Sequence, residues 1–244
     1  MPTIDLSPAH TTLTAGQSPA VSVVVYIRQN DPAFLERSLD SILSQQTGFP
    51  FDIILLGDSR TAESVEDIGR EYAAIYPEKV VFYPFPRRVG YVPFFPYNIT
   101  VDSPYIVLCS DKEQWIDTGK LQEQYDFLQT HPTYVVCLHR ITFLYGDGNM
   151  SASSYDSFGR DTLFSVGELS RLLLYRSAMF RIRQYPYHVH FMVYQKEGIG
   201  LFARQAVSGR LKILPETVSD VLLDVGERME EVNHRTKIYL IYSR

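Results

Sequence analysis

The chain is poor in the residues that organise small stapled or metal-bound folds: its 244 residues include two cysteines and one tryptophan. Cys109 and Cys137 lie in apolar, strand-like contexts, Ile106-Val107-Leu108-Cys109 and Tyr134-Val135-Val136-Cys137, with no CxxC spacing. They give neither a zinc site nor a disulfide framework and read as two small buried hydrophobes, with a single disulfide the less favoured alternative. A reducing, cytosolic compartment fits that usage. There is no long Lys/Arg run and the net charge is −5, so nucleic acid is a poor partner. No apolar segment approaches the roughly 20 residues that cross a bilayer. Met1 to Gly16 also lacks the basic start and apolar stretch of a secretion signal, so neither export nor a membrane span is expected. A Gly-rich phosphate loop, a Ser/His/Asp arrangement and internal repeats are absent as well.

What is present is the material of a large globular core. Hydrophobic residues make up 45% and charged residues 21%, which excludes a wholly disordered chain, and the length suits one large α/β unit. The 17 Tyr and 14 Phe are mostly expected in that core, although aromatic rings also stack on sugars and bases.

Periodicity orders the first half. Val21-Ser22-Val23-Val24-Val25 reads as a buried strand, and Asp31-Pro32 opens a helix whose Phe34, Leu35, Leu39, Ile42 and Leu43 recur at helical spacing. Ile53-Ile54-Leu55-Leu56 is a second strand. A helix over about Ala62 to Tyr76 carries Val65, Ile68, Tyr72 and Ile75 on one face and stops at Pro77. Val80 to Tyr83 is a third strand. This alternation specifies a parallel sheet with right-handed crossovers. Pro84, Pro86, Pro93 and Pro96 then break the chain into loop at least to Phe94. Tyr105 to Cys109 is a fourth strand running into the acidic turn Ser110-Asp111-Lys112-Glu113, the kind of strand end where open α/β sheets bind ligands.

An amphipathic helix with Leu121, Tyr125 and Leu128 follows, to about Thr130, and Tyr134 to Tyr145 is a long strand. Gly146 to Asp161 reads as loop, Phe164 to Phe180 as a helix with Val166, Leu169, Leu172 and Leu173, and Leu201 to Ser208 as another. Leu211 to Leu214 and Val218 to Leu223 are extended, and Lys237 to Tyr242 is strand-like.

The ordered segments Val21-Ser22-Val23, Leu39-Asp40-Ser41-Ile42-Leu43-Ser44-Gln45, Phe49-Pro50-Phe51-Asp52-Ile53-Ile54 and Tyr76-Pro77-Glu78-Lys79 resemble the inverting family 2 glycosyltransferases, especially those of bacterial capsule and surface polysaccharide. Trp115-Ile116-Asp117, Lys120-Leu121-Gln122-Glu123-Gln124, His131-Pro132, and Gly209 with Leu214-Pro215-Glu216 continue the likeness. The resemblance implies an α/β GT-A fold, Rossmann-like, with a mostly parallel central sheet flanked by helices. It covers roughly 20–228 as a glycosyltransferase-like domain; residues 1–19, rich in Thr, Ser, Pro and Ala without periodicity, read as a loose arm, and 229–244 as an extension with a strand-like end. The implied activity is hexosyl transfer from a UDP- or GDP-linked sugar to a saccharide or lipid-linked acceptor in the cytoplasm, with peripheral association with membrane-bound polysaccharide machinery.

The resemblance also distributes roles. A pair of aspartates that holds the nucleoside stands here as Gly57-Asp58, so Asp58 is the donor-binding residue that remains. The Asp-x-Asp motif that binds a divalent metal, Mn or Mg, matches Cys109-Ser110-Asp111 and also lacks its first carboxylate. A thiol is a poor ligand for a hard cation. Asp111 with Glu113 forms an Asp-x-Glu spacing able to supply two oxygens, and the rival reading is a solvated acidic turn. Asp224 falls where the family often has a metal-binding His, and is an acceptable oxygen ligand there or else a polar residue ending a strand. The base position, counted back from Gly209, falls on Gly198, and the neighbouring Glu197 is the candidate catalytic base or else a surface residue. Arg88, beside Gly90, is a candidate for the donor diphosphate because a guanidinium forks onto phosphate oxygens, the commoner case being an exposed loop Arg. His188 and His190 are expected to pack rather than bind metal. The departures at Gly57, Cys109 and Gly198 leave a second expectation, a GT-A-like protein with impaired catalysis that acts as a nucleotide-sugar-binding or partner subunit.

Overall fold

The computed structural model describes residues 3–5, 18–27, 31–57, 61–84, 96–100, 103–145, 150–152, 178–181, 190–192 and 210–223. In chain order the elements are β1 (Thr3–Asp5), β2 (Val21–Tyr26), α1 (Pro32–Leu43), β3 (Phe51–Leu56), α2 (Glu63–Ile75), β4 (Val80–Tyr83), β5 (Pro96–Thr100), β6 (Tyr105–Ser110) and β7 (Glu113–Trp115). They continue with α3 (Lys120–Thr130), β8 (Tyr134–Tyr145), β9 (Met150–Ala152), β10 (Met179–Arg181), β11 (His190–Met192) and β12 (Arg210–Leu223).

Local chemistry starts and stops the helices. Asp31 is extended and its Oδ1 accepts the Ala33 N–H at 3.0 Å, while Pro32 occupies the first turn, where no amide is needed. α2 has no side-chain cap, but Glu63 and Glu66 lie in its first turn, where the helix dipole favours acid. Before α3, Asp117 Oδ1 accepts the Gly119 N–H at 2.7 Å.

The main sheet has the order β4-β3-β2-β6-β10-β8-β12-β7, with β9 on β8. β2, β3, β4 and β6 pair in parallel, as do β8 and β12, whereas β10, β9 and β7 run against their neighbours. The result is the mostly parallel α/β sheet that the GT-A resemblance implies. β2, β3 and β6 are buried on both faces, as crossover helices require. On one face Val21, Val23, Val25, Ile53, Leu55, Val107, Cys109, Met179 and Cys137 join Leu35, Leu39 and Ile42 of α1, Val65 of α2, and Leu121 and Leu128 of α3 in a single core. Val24, Ile54, Ile106, Val136, Leu138 and Phe180 are buried as well, outside that cluster.

Several short strands depart from the sequence reading. Met179–Arg181, expected to end a helix, is a strand between β6 and β8, with Met179 opposite both Val107 and Cys137. An apolar run this short has no period of its own, and the gap between two strands decides its state. Met150–Ala152, read as loop, pairs with Thr142 to Leu144 as a hairpin partner. Pro96–Thr100 forms the middle of a small separate sheet, flanked by β11 and by Thr3–Asp5 of the expected loose arm. The readings over 164–177, 201–208 and 237–242 lie outside the described residues.

α2 meets β4 closely. An ideal Cβ on buried Gly69 would stand 2.7 Å from Phe82 Cδ2 and 2.9 Å from its Cε2. Gly→Ala inside a helix ordinarily stabilises by about 1 kcal/mol, but overpacking here costs about 1–3 kcal/mol. Gly69→Ala is therefore expected to lower the urea midpoint, and the same substitution in a Phe82→Leu background to raise it.

Candidate active site at the carboxyl edge of the sheet

The chain leaves β2 toward β3 on one side and later returns to β6 on the other, which makes the end of β2 a topological switch point, where open α/β sheets bind ligands. Register aligns the strand ends there: Tyr26 is opposite both Leu56 and Ser110, and Leu56 is opposite Tyr83. The Asp111 N–H donates to the Tyr26 carbonyl at 3.3 Å, so the acid is fastened to the end of β2.

The Asp111 turn is stitched internally and from below. Ser110 Oγ donates to Asp111 Oδ1 at 3.4 Å and accepts the Lys112 N–H at 3.2 Å, while Glu113 Oε1 accepts the Ser110 N–H at 3.0 Å. α1 supplies the floor. Ser38 Oγ donates to the Ser110 carbonyl at 3.4 Å, and Ser41 Oγ accepts the Trp115 N–H at 3.0 Å. Gln45 Oε1 accepts the Leu121 N–H at 3.0 Å, and its Nε2 donates to the Asp117 carbonyl at 2.7 Å. α3 has no side-chain cap of its own, and Gln45 provides one from the chain just after α1.

Of the residues singled out from sequence, Asp111 and Glu113 are each 1% exposed, so the turn is not a solvated one. Trp115 packs beneath it, 4% exposed. Cys109 faces the core; burial, then the neighbouring Glu113, raises its thiol pKa well above the usual value, which keeps it protonated and unsuited to a hard metal. Asp58, Arg88, Glu197 and Asp224 lie outside the described residues. β12 runs antiparallel to β7 with Val221 opposite Glu113. Among the described residues no group of three or more His, Cys, Asp or Glu side chains is arranged to hold a metal. No helix among them is long and apolar enough to cross a membrane.

A family model described as Glycosyl transferase family 2 matches residues 21–193, well over half of the chain. The chain belongs to glycosyl transferase family 2. Among its relatives, the uncharacterized proteins Rv1520 of Mycobacterium tuberculosis and Mb1547 of Mycobacterium bovis are each 29% identical over 199 residues, covering 80% of this chain and 57% of theirs. This family 2 chain thus spans little more than half of their length. Among solved structures, it is similar to the mannosyltransferase PcManGT from Pyrobaculum calidifontis in complex with GDP-Man and Mn2+, with a TM-score of 0.56 at 14% identity over 87% of this chain and 59% of that one. It is also similar to S. aureus TarS 1–349 in complex with UDP-GlcNAc, with a TM-score of 0.55 at 13% identity over 86% of this chain and 60% of that one. At those identities the likeness is one of fold, and the fold is GT-A.

In this family 2 glycosyltransferase chain, sequence reasoning missed the polar floor of the site. Ser38 and Ser41 stand three apart on the face of α1 that also carries Leu35, Leu39 and Ile42, with Gln45 two residues past its end, and that signal was available. Gln45→Ala leaves the Leu121 N–H and the Asp117 carbonyl without their partner. The expected loss is about 2 kcal/mol of unfolding free energy, read as a lower urea midpoint with an unchanged denaturant slope.

Proposed function

We propose that the chain transfers a hexose, with inversion, from a UDP- or GDP-linked donor to a saccharide or lipid-linked acceptor in bacterial surface-polysaccharide synthesis. It would work in the cytoplasm, peripheral to the membrane where lipid-linked acceptors reside. The observation that carries the reading is a buried carboxylate, Asp111, tied to the end of β2 at the switch point of a family 2 chain. The GDP-Man with Mn2+ in PcManGT and the UDP-GlcNAc in TarS support a nucleotide-sugar donor and a divalent metal.

Asp111 is the donor-side acid, with Asp58 for the nucleoside and Arg88 for the diphosphate. Its carboxylate beside the Ser110 hydroxyl is an oxygen donor set of the kind that suits Mn or Mg, and Asp224, the residue that follows β12, is assigned to complete it. Glu113 is the other metal candidate from sequence, but its Oε1 is engaged by the Ser110 N–H, and it serves better as support for the turn. When bound, the cation neutralises charge gathering on the departing diphosphate. Glu197 takes the proton of the acceptor hydroxyl as that oxygen attacks the anomeric carbon.

A second reading is favoured by Cys109, a core-facing, protonated thiol where the motif has its first carboxylate: the chain binds donor without turning it over. Calorimetry with UDP- and GDP-sugars in Mn2+, paired with donor hydrolysis, separates the two. The enzyme reading expects binding and hydrolysis, with Asp111→Ala lowering the hydrolysis rate by about a hundredfold or more. An unchanged rate removes Asp111 from the site, and binding without turnover selects the second reading.

A further inference from the structure

Trp115 is the chain's one tryptophan, and it is 4% exposed. A buried indole ordinarily finds an acceptor for its own N–H, and that bond aims the ring. Here nothing among the described residues accepts the Nε1–H of Trp115. Its backbone is held, because the Trp115 N–H donates to Ser41 Oγ at 3.0 Å, but the ring is reached from elsewhere. Lys120, the first residue of α3, is fully buried and sets its Nζ 4.3 Å from the centroid of the Trp115 ring. The same Nζ donates to Gln124 Oε1 at 2.8 Å, and Gln124 Nε2 donates in turn to the Cys137 carbonyl of β8 at 2.9 Å. Burial pushes the Lys120 pKa down to about 8, which still leaves the amine charged at neutral pH. An ammonium over an indole face is attracted to it, and more strongly where water is excluded.

β7 has little else to hold it. It is three residues long, ends the order of the main sheet and pairs only with β12 among the described strands. The turn that carries Asp111 runs directly into it. The contacts from Cys137 through Gln124 and Lys120 to Trp115 tie this edge to β8, a strand in the interior of the sheet. We infer that Lys120 is a positioning residue: its ammonium, aimed by Gln124, holds the Trp115 ring and through β7 steadies the turn that presents Asp111. It acts through that ring and touches neither donor nor metal. The inference rests on the reading of Asp111 as the donor-side acid, because that reading gives the turn its importance. It also accounts for a lysine in a helical face otherwise occupied by Leu121, Gln124 and Leu128, where an aliphatic residue would cost less to bury.

The test is NMR on the full chain at neutral pH, without nucleotide or metal, where one tryptophan gives one indole N–H resonance. In the wild type the Lys120 ε-methylene protons are expected upfield of those of the other lysines, moved by the indole ring current, with cross-peaks to the Trp115 ring. Ordinary lysine shifts overturn the contact whether or not any variant folds. Lys120→Met keeps the length of the side chain and removes its charge. It is expected to speed hydrogen exchange of the indole N–H and of the Ser110, Asp111 and Trp115 amides by about tenfold, the size of one desolvated cation–π contact. Amides of β3 are expected to stay within about threefold of wild type, because an apolar side chain in place of a buried charge costs a core little. The positioning role is overturned if the three turn amides keep their wild-type rates. It is equally overturned if β3 accelerates by the same factor, the mark of a general loss of core, and a Lys120→Met chain that fails to fold counts as that loss. No donor takes part, so failure to bind UDP- or GDP-sugars in calorimetry overturns the glycosyl-transfer reading and leaves the exchange result standing. Unchanged turn amides in a chain that binds donor do the converse.

Discussion

A hydroxyl or amide turned into a helix–sheet core is costly unless it finds a partner there. α1 turns two such groups inward, on Ser38 and Ser41, and Gln45 just past its end adds a third; all three are satisfied by the backbone between Ser110 and Leu121. The arrangement fixes α1 relative to the strand that follows it by some seventy residues, and with it the relation between the ends of β2 and β6. If α1 moved by one turn, these bonds would be lost together with the fit of Leu35, Leu39 and Ile42 against the sheet. The floor of the site and the apolar core are therefore one constraint expressed on a single helix face.

On that floor stands an unusual concentration of buried polarity: Ser110, Asp111, Lys112, Glu113, Lys120 and Gln124 are all buried within a short stretch of sequence. A hydrophobic filling of equal volume would give as much stability or more. Such groups give direction instead, since each hydrogen bond accepts only a narrow geometry. The core thiol of Cys109 belongs to this neighbourhood through Ser38 Oγ, 3.9 Å away, and contributes volume rather than charge.

The first half of the main sheet was legible from sequence because each element there carries a complete local signal. β2 and β3 are apolar runs, α1 has Asp31-Pro32 at its start, and α2 has an apolar face that closes at Pro77. β9, β10 and the β1–β5 pair were not legible. Their residues have no decisive period, and each becomes a strand only because a neighbour offers an unpaired edge or a gap. At the site, Asp111 was legible as an acid at the carboxyl end of a buried strand. The depth of Asp111 and Glu113 was not, since two acids and a lysine in four residues look like solvent-facing chain. Lys120 was hidden for the same reason: one position before Leu121, a lysine ordinarily swings its ammonium to water.

β7 consists of three residues and its sheet partner is β12, about a hundred positions further along the chain. β12 in turn lies along β8 in parallel, with shifts of register around Pro215. Such pairing has a high contact order, and the entropy of closing the intervening loop is paid before the ladder forms. During synthesis on the ribosome, the α1–β2–β3 half can assemble while the strand that closes the sheet beyond β8 has not yet emerged. The edge that carries β7 can thus close only late in synthesis, and a chain ending short of Ser219 would leave the acidic turn without the strand that pairs beside it.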